Sequence, residues 1–310
     1  MRDEVPKTLL QTNCLNAPIV TARETLFWQC LPVVSSGSTA NHKVAIVTGG
    51  AAGIGRALCE QLASDSIRVV IADIDLKAAQ EVVSVIGKKG GHIEAKRVDV
   101  ANTSEVETLV SDVIATHGRL DFIFNNAAVA AVGEARDGNV DDFRRVVDVN
   151  LFGVVHGSIA AYRAMLRQGF GHIVNISSVT GLMPTPTLSA YSTTKWAIIG
   201  FSTALRAEAT GLGVKVSVAC PGLVRTNIGD RNMYWNVRKE DHLANLPWRW
   251  AIEPEQAATA ILRGMTRNKS IIVFPFSARV AWWLYRVYPG IFNPMLQRMV
   301  RSFRTIRVVS

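Results

Sequence analysis

From Lys43 onward, short runs of β-branched and apolar residues alternate with longer amphipathic stretches. The short runs cover residues 44–47, 69–72, 93–98, 120–124, 172–176 and 214–219. Helical spacing of apolar residues fills the gaps, over about 54–64, 76–87, 104–117, 140–165 and 189–211. Strands joined through helices cannot be hairpin neighbours. Repeated β-α-β units predict a parallel sheet covered by helices on both faces. Runs that are apolar throughout, rather than alternating, agree with strands buried on both sides. The fold class is therefore α/β, a doubly wound parallel sheet. After Pro221 the alternation stops, and residues 223–250 read as irregular. A helix beginning near Pro254, a last strand at 270–274, and two amphipathic helices at 277–287 and 294–304 complete the reading.

This pattern divides the 310 residues into a catalytic-sized domain over 42–275 and an extension at each end. Residues 1–41 lack a clear period and end in a Ser/Gly/Thr/Asn-rich patch at 35–41, so they read as an extension and linker with a short helix around 22–29. Residues 276–310 form a basic, amphipathic extension. From Gln256 to Ser310 there is no acidic residue, against nine basic ones. The net charge of +9 therefore resides in that stretch, and the remainder of the chain is balanced. No nucleic-acid-binding module is recognisable, so the charge is not read as a nucleic-acid footprint. Cys14, Cys30, Cys59 and Cys220 form no C-x-x-C pair, and the histidines show no metal spacing, which points to no metal and to a reducing, cytoplasmic compartment. No uncharged apolar run reaches transmembrane length.

The first strand leads into Thr48-Gly49-Gly50-Ala51-Ala52-Gly53-Ile54-Gly55 and then a helix. Glycine allows positive φ and close backbone approach, and the helix N-terminus supplies N–H donors, so this loop suits the pyrophosphate of a dinucleotide in a Rossmann fold. Asp73, at the end of the second strand, is placed to accept hydrogen bonds from an adenosine ribose and to repel a 2′-phosphate. With Ala52 rather than a basic residue before Gly53, this favours NAD over NADP. Asp75 is the better placed helix cap. Asp99, followed by Val100, fits either contact with an adenine amino group or a cap for the helix near Thr103.

Tyr191-Ser-Thr-Thr-Lys195 opens a predicted helix, and its i, i+4 spacing puts phenol and ammonium on one face. A tyrosine titrates at about 10, and a nearby cation lowers that value, giving a group that can exchange a proton with an alcohol or carbonyl. These motifs, with Asn125-Asn126-Ala127, Asn150 and Pro221-Gly222 in order, resemble the short-chain dehydrogenase/reductase family over about residues 43–274. The resemblance implies that Tyr191 is the general acid/base and that Lys195 lowers its pKa and bonds the nicotinamide ribose. It implies that Ser178 orients the substrate oxygen, with Ser177 one residue off the family interval, and that Asn150 holds a relay water. Asn125 would anchor the sheet. Gly49, Gly53, Ile54, Gly55, Asp73, Asp99, Val100, Asn126, Pro221, Gly222 and Thr226 would meet the cofactor, Thr226 at the carboxamide. A homodimer or homotetramer is implied as well. Ala128 departs from the family pattern, which has glycine there.

The expected activity is NAD-dependent interconversion of a secondary alcohol and a ketone or aldehyde. The rivals are NADP-dependent carbonyl reduction and a cofactor-binding scaffold without turnover. Met233, Tyr234, Trp235 and Trp248 either wall a greasy pocket for a bulky apolar substrate, steroid-, retinoid-, terpenoid- or aromatic-like, or pack the 223–250 segment onto the core. The apolar stripes Val280, Trp283, Leu284, Val287 and Met295, Leu296, Met299, Val300, Phe303 suit either a peripheral membrane contact or a subunit contact or flap.

Overall fold

The computed structural model describes residues 42–308, which belong to a unit spanning Ala40–Ser310. The helix expected around 22–29, together with Cys14 and Cys30, lies outside the described residues. Strand β1 (Val44–Thr48) shows how the sheet is built. Its five residues are all buried, but alternate ones serve different layers. Ala45 and Val47 join one apolar cluster, while Val44 and Ile46 join another. The same division holds in β2 (Arg68–Asp73), where Val69 and Ile71 face one cluster and Val70 and Ala72 the other. Period-two alternation with apolar residues on both faces is what a sheet covered on both sides demands.

The remaining main strands are β3 (Ile93–Arg97), β4 (Phe122–Asn125), β6 (Gly171–Ile176), β7 (Val214–Pro221) and β9 (Ile271–Phe274). Among the described residues they form a seven-stranded sheet in the order β3-β2-β1-β4-β6-β7-β9, parallel throughout. Helices α1 (Gly53–Ser64), α2 (Leu76–Gly87) and α8 (Pro254–Thr266) bury their apolar sides on one face. Helices α3 (Thr103–His117), α5 (Gly153–Gln168) and α6 (Ser189–Glu208) do so on the other. One strand departs from expectation. β3 is only part-buried and carries Glu94 and Lys96, because it is an edge strand with a neighbour on one side only. The chain winds outward from β1 through β2 to β3, then crosses back so that β4 lies on the other side of β1. That reversal is the topological switch point, where open α/β sheets leave a crevice at their strand carboxyl ends.

Two segments differ from the sequence reading for reasons visible in their hydrogen bonds. The single helix expected over 140–165 is split into α4 (Val140–Val147), a π-helical turn at Asp148–Phe152, and α5. Asn150, fully buried, sits within that turn and reaches sideways to the backbone of Val129. The 223–250 segment is also less irregular than expected. It contains β8 (Met233–Tyr234), which pairs in parallel with β5 (Ala131–Val132), and a short helix α7 (Lys239–Ala244). Trp235 fastens it. The indole is 6% exposed, packs among Val129, Val146 and Ala190, and donates its Nε1–H to Asp142 at 2.8 Å.

Beyond β9, α9 (Phe276–Val287) and α10 (Asn293–Arg304) form the end of the described chain. Phe303 is buried against Val132 and Val237, Arg304 pairs with Glu134, and Arg307 with Asp137. The Arg307 guanidinium holds the Asp137 carboxyl down at about 2. Two of the nine basic residues after Gln256 are therefore internal clasps. Trp235→Ala should destabilise the fold by about 3–5 kcal/mol in urea unfolding, the usual result of deleting a buried large aromatic. A loss under about 1 kcal/mol would show that the indole is not a core anchor.

Candidate active site

The glycine loop gets its shape from close contacts. Gly49 and Gly53 have φ of 63° and 52°, values that glycine adopts without strain. A Cβ on Gly53 would lie 3.0 Å from the Thr226 methyl, and one on Gly55 would lie 2.1 Å from the Gly49 carbonyl oxygen. Gly55 thus permits helix-to-loop packing rather than facing the crevice. Helix α1 has no side-chain cap, so its first-turn N–H groups are available to an anionic ligand. Across the switch point, the Thr48 hydroxyl accepts from the N–H groups of Asn126 and Ala127 at 2.9 and 3.1 Å. The Asn126 side chain returns two bonds, to the carbonyls of Thr48 and Gly49.

The result is a cleft of about 480 Å³. Gly49, Gly53, Ile54 and Asp73 line it on the β1–β2 side, with Asp99, Val100 and Asn126 beside them. Tyr191, Lys195, Pro221 and Thr226 line the rest, together with Ala128. The long glycine-floored shape, a carboxylate at one end and a phenol–ammonium pair at the other fit a nicotinamide dinucleotide laid across the strand ends. Gly222 follows Pro221 out of the cleft wall, and its N–H donates to the Phe274 carbonyl at 2.8 Å, extending the sheet ladder. Asp99 makes a local turn, accepting from the Ala101 N–H, while Asn102 caps α3. The capping alternative for Asp99 is therefore set aside.

At the reactive end, Lys195 is 1% exposed and its Nζ donates to the Ile176 carbonyl at 2.9 Å, lying 5.2 Å from the Tyr191 ring centre. Burial lowers Lys195 to about 7. Burial likewise raises Tyr191 to about 12, with a hydrogen bond to Ser178 pulling the other way. This corrects the expectation of a lowered tyrosine. Desolvation of the phenolate dominates, and the Lys195 hydrogen bond goes to a carbonyl instead of the phenol. Ser178 is the serine paired with Tyr191, whereas the Ser177 hydroxyl donates to the Lys195 carbonyl at 2.7 Å. Asn150 stands behind the cleft. Its oxygen accepts from the Val129 N–H and its nitrogen donates to the Val129 carbonyl, both at 2.8 Å, and also to Thr194. The Asn150 amide is thus committed to bracing Val129 and Thr194.

A profile of the short chain dehydrogenase family matches residues 43–236. The chain belongs to the short-chain dehydrogenase/reductase family. Members of this family are NAD(P)-dependent oxidoreductases, and the cleft is built accordingly. The oxidoreductase SadH of Mycobacterium tuberculosis is 31% identical over 270 residues, covering 86% of this chain and 98% of that protein. A cyclohexanol dehydrogenase of an Acinetobacter species is 34% identical over 187 residues, 60% of this chain and 74% of that one. Among solved structures, a short chain dehydrogenase/reductase from Burkholderia phymatum in complex with NAD superposes with a TM-score of 0.74 at 27% identity, covering 81% of this chain and 95% of that one.

Within this short-chain dehydrogenase/reductase, sequence reasoning missed Arg231. Its guanidinium reaches Asp73 at 3.3 Å and Asp75 at 3.5 Å, placing a cation beside the carboxylate at the expected adenosine end. Asp73 also accepts from the Ala51 N–H at 3.0 Å, so it braces the glycine loop. No motif marks Arg231, which lies 158 positions away in the irregular segment. The aromatic and apolar residues singled out in that segment, Met233, Tyr234, Trp235 and Trp248, do not line the cleft. Thr226, Asp230 and Arg231 do.

The lysine shift has a thermodynamic consequence. Lys195 titrates near 7 in the folded chain and near 10.5 in its ordinary state, so between these values the unfolded chain binds more protons. Stability relative to Lys195→Met should therefore rise with pH across that window. Unfolding curves of both proteins at several pH values measure the difference, and a flat difference would contradict a desolvated lysine.

Proposed function

We propose that the protein interconverts a secondary alcohol and its ketone with NAD(H), Tyr191 exchanging the proton. The observation that carries this reading is the meeting of Tyr191 and Lys195 in the glycine-floored cleft, with Ser178 hydrogen-bonded to the Tyr191 phenol behind it. In the oxidation direction, Ser178 and Tyr191 hold the substrate hydroxyl. Tyr191 takes the hydroxyl proton as hydride leaves the carbinol carbon, and the C–O bond becomes a carbonyl. The nicotinamide supplies the hydride acceptor. Lys195, anchored on Ile176, would hold the cofactor ribose, and its ammonium would stabilise the phenolate that accepts the proton. In reduction the neutral phenol donates. Residues 42–275 would act as the catalytic domain, with the segment 223–250 closing over the cofactor through Thr226 and Arg231.

For the substrate we infer a bulky apolar alcohol. Support comes from an apolar hollow of about 110 Å³ beginning one residue beyond Ser178 and lined by Val179, Met183, Tyr285, Phe292 and Met299. The similarity to a cyclohexanol dehydrogenase agrees with it. NAD is preferred because Asp73 would repel a 2′-phosphate. Arg231 favours a second reading, in which it clasps that phosphate and NADP is accepted. Asp73→Ser should raise kcat/KM for NADP(H). Arg231→Ala should leave NAD(H) activity standing if the first reading holds and depress NADP(H) activity selectively if the second does.

Hydride transfer measured over bulky alcohols and ketones tests the reaction itself. Tyr191→Phe should cost about 10²–10⁴-fold in kcat. Because the phenol titrates at about 12, kcat/KM for alcohol oxidation should climb with pH through the alkaline range, while carbonyl reduction should not. An active Tyr191→Phe variant would remove tyrosine from the proton step.

A further inference from the structure

Helix α9 presents the wrong face to water. Phe276, Val280, Trp283 and Val287 lie on one side at spacings of four, three and four, and they are 72%, 41%, 62% and 66% exposed. No residue of α9 is buried. Tyr288 and Ile291 continue the exposed apolar surface beyond α9. A surface helix normally turns its apolar stripe inward, and a contiguous apolar face of this kind marks an interaction surface.

Charge identifies the partner. Arg263, Arg267, Lys269 and Arg279 converge with Trp282 on a second cleft, of about 240 Å³, beside β9. None of these four cations pairs with a carboxylate among the described residues, and no acidic residue occurs between Gln256 and Ser310. Arg286, Arg298 and Arg301 add further exposed positive charge on α9 and α10. Arg304 and Arg307 are excluded from this count, because Glu134 and Asp137 hold them against the body. A second copy of the chain docking symmetrically here would bring arginine against arginine. An apolar face rimmed by aromatic residues and cations instead matches the interface of an anionic bilayer, with apolar side chains in the acyl boundary and arginines at the headgroups. No described helix is long and apolar enough to cross a membrane, so the contact is peripheral.

We propose that α9 and α10 form a docking surface for an anionic lipid membrane. The surface does not depend on the reaction assigned above. Cosedimentation of the full chain with vesicles tests it, using phosphatidylcholine alone and phosphatidylcholine mixed with phosphatidylglycerol. Binding should require the anionic lipid and weaken with salt. Arg279→Ala and Arg286→Ala should each lower the affinity about fivefold. Trp283→Asp should reduce binding to background while the far-ultraviolet circular dichroism and cofactor binding stay unchanged. Binding equal for all variants would place the contact elsewhere in the chain and overturn the proposal. Equal binding to neutral vesicles, or none to either, would overturn it too. Loss of a stable dimer in Trp283→Asp without vesicle binding would show the face to be a contact between copies, and uptake of inorganic phosphate without vesicle binding would reduce it to a small-anion site.

Discussion

The carboxyl ends of β1 and β4 have to stay together at the one place where the chain reverses its winding. A parallel sheet gives them no turn to do it, and each strand departs in a different direction. The Thr48 hydroxyl and the Asn126 amide supply the missing link with four hydrogen bonds across the gap. Asn125, one residue earlier, extends the bracing sideways. Its nitrogen donates to Ser158 on α5 and to Asn175 on β6, and Asn175 donates in turn to Ser202 on α6. Polar groups this deep are costly unless partnered, and these bonds favour one arrangement of strands and helices, while Asn125 Oδ1 has no partner among the described residues. The space needed for it is narrow: a Cβ on Gly157 would stand 2.1 Å from the Asn125 oxygen. The cleft above inherits its rigidity from this layer.

At the reactive end the same exclusion of water sets the electrostatics. Tyr191 and Lys195 are both driven toward neutrality by burial, the phenol upward and the ammonium downward. A pair prepared this way is poised for a reaction in which charge appears only transiently. A phenolate forming beside the lysine gives the ammonium a partner, and the ammonium stabilises the phenolate more strongly than it would in water. The cost is that burial alone leaves the phenol protonated at neutral pH.

The sheet was legible because burial on both faces forces an unbroken apolar run, and a strand with one face in water would alternate instead. Tyr191, Lys195 and the glycine loop were legible because helix periodicity and positive φ restrict which residues can stand there. The features that escaped are those set by contacts distant in sequence. Nothing local distinguishes Arg231 from any other loop arginine; its meaning comes from Asp73. Trp235 read equally well as a pocket wall and as a core anchor, and only Asp142 and Val146 decide for the core. The π turn was invisible because its cause, the Asn150 bond to Val129, runs between segments 21 residues apart. Edge position likewise accounts for the charge on β3, which an interior strand could not carry.

The run of basic residues after Gln256 looked uniform in the sequence, and the fold divides it by geometry. Where α10 ends, Phe303 is buried and Arg304 and Arg307 meet Glu134 and Asp137, so these charges are neutralised and the hairpin is held on the 131–137 loop. That anchorage is what leaves the other face of the hairpin fixed in the open rather than folded over. An apolar helix face that could collapse onto the body would do so, since burial of several large side chains is worth about 1.5–3 kcal/mol for each. The two arginine clasps therefore hold the end of α10 on the body, while the apolar stripe of α9 stays exposed.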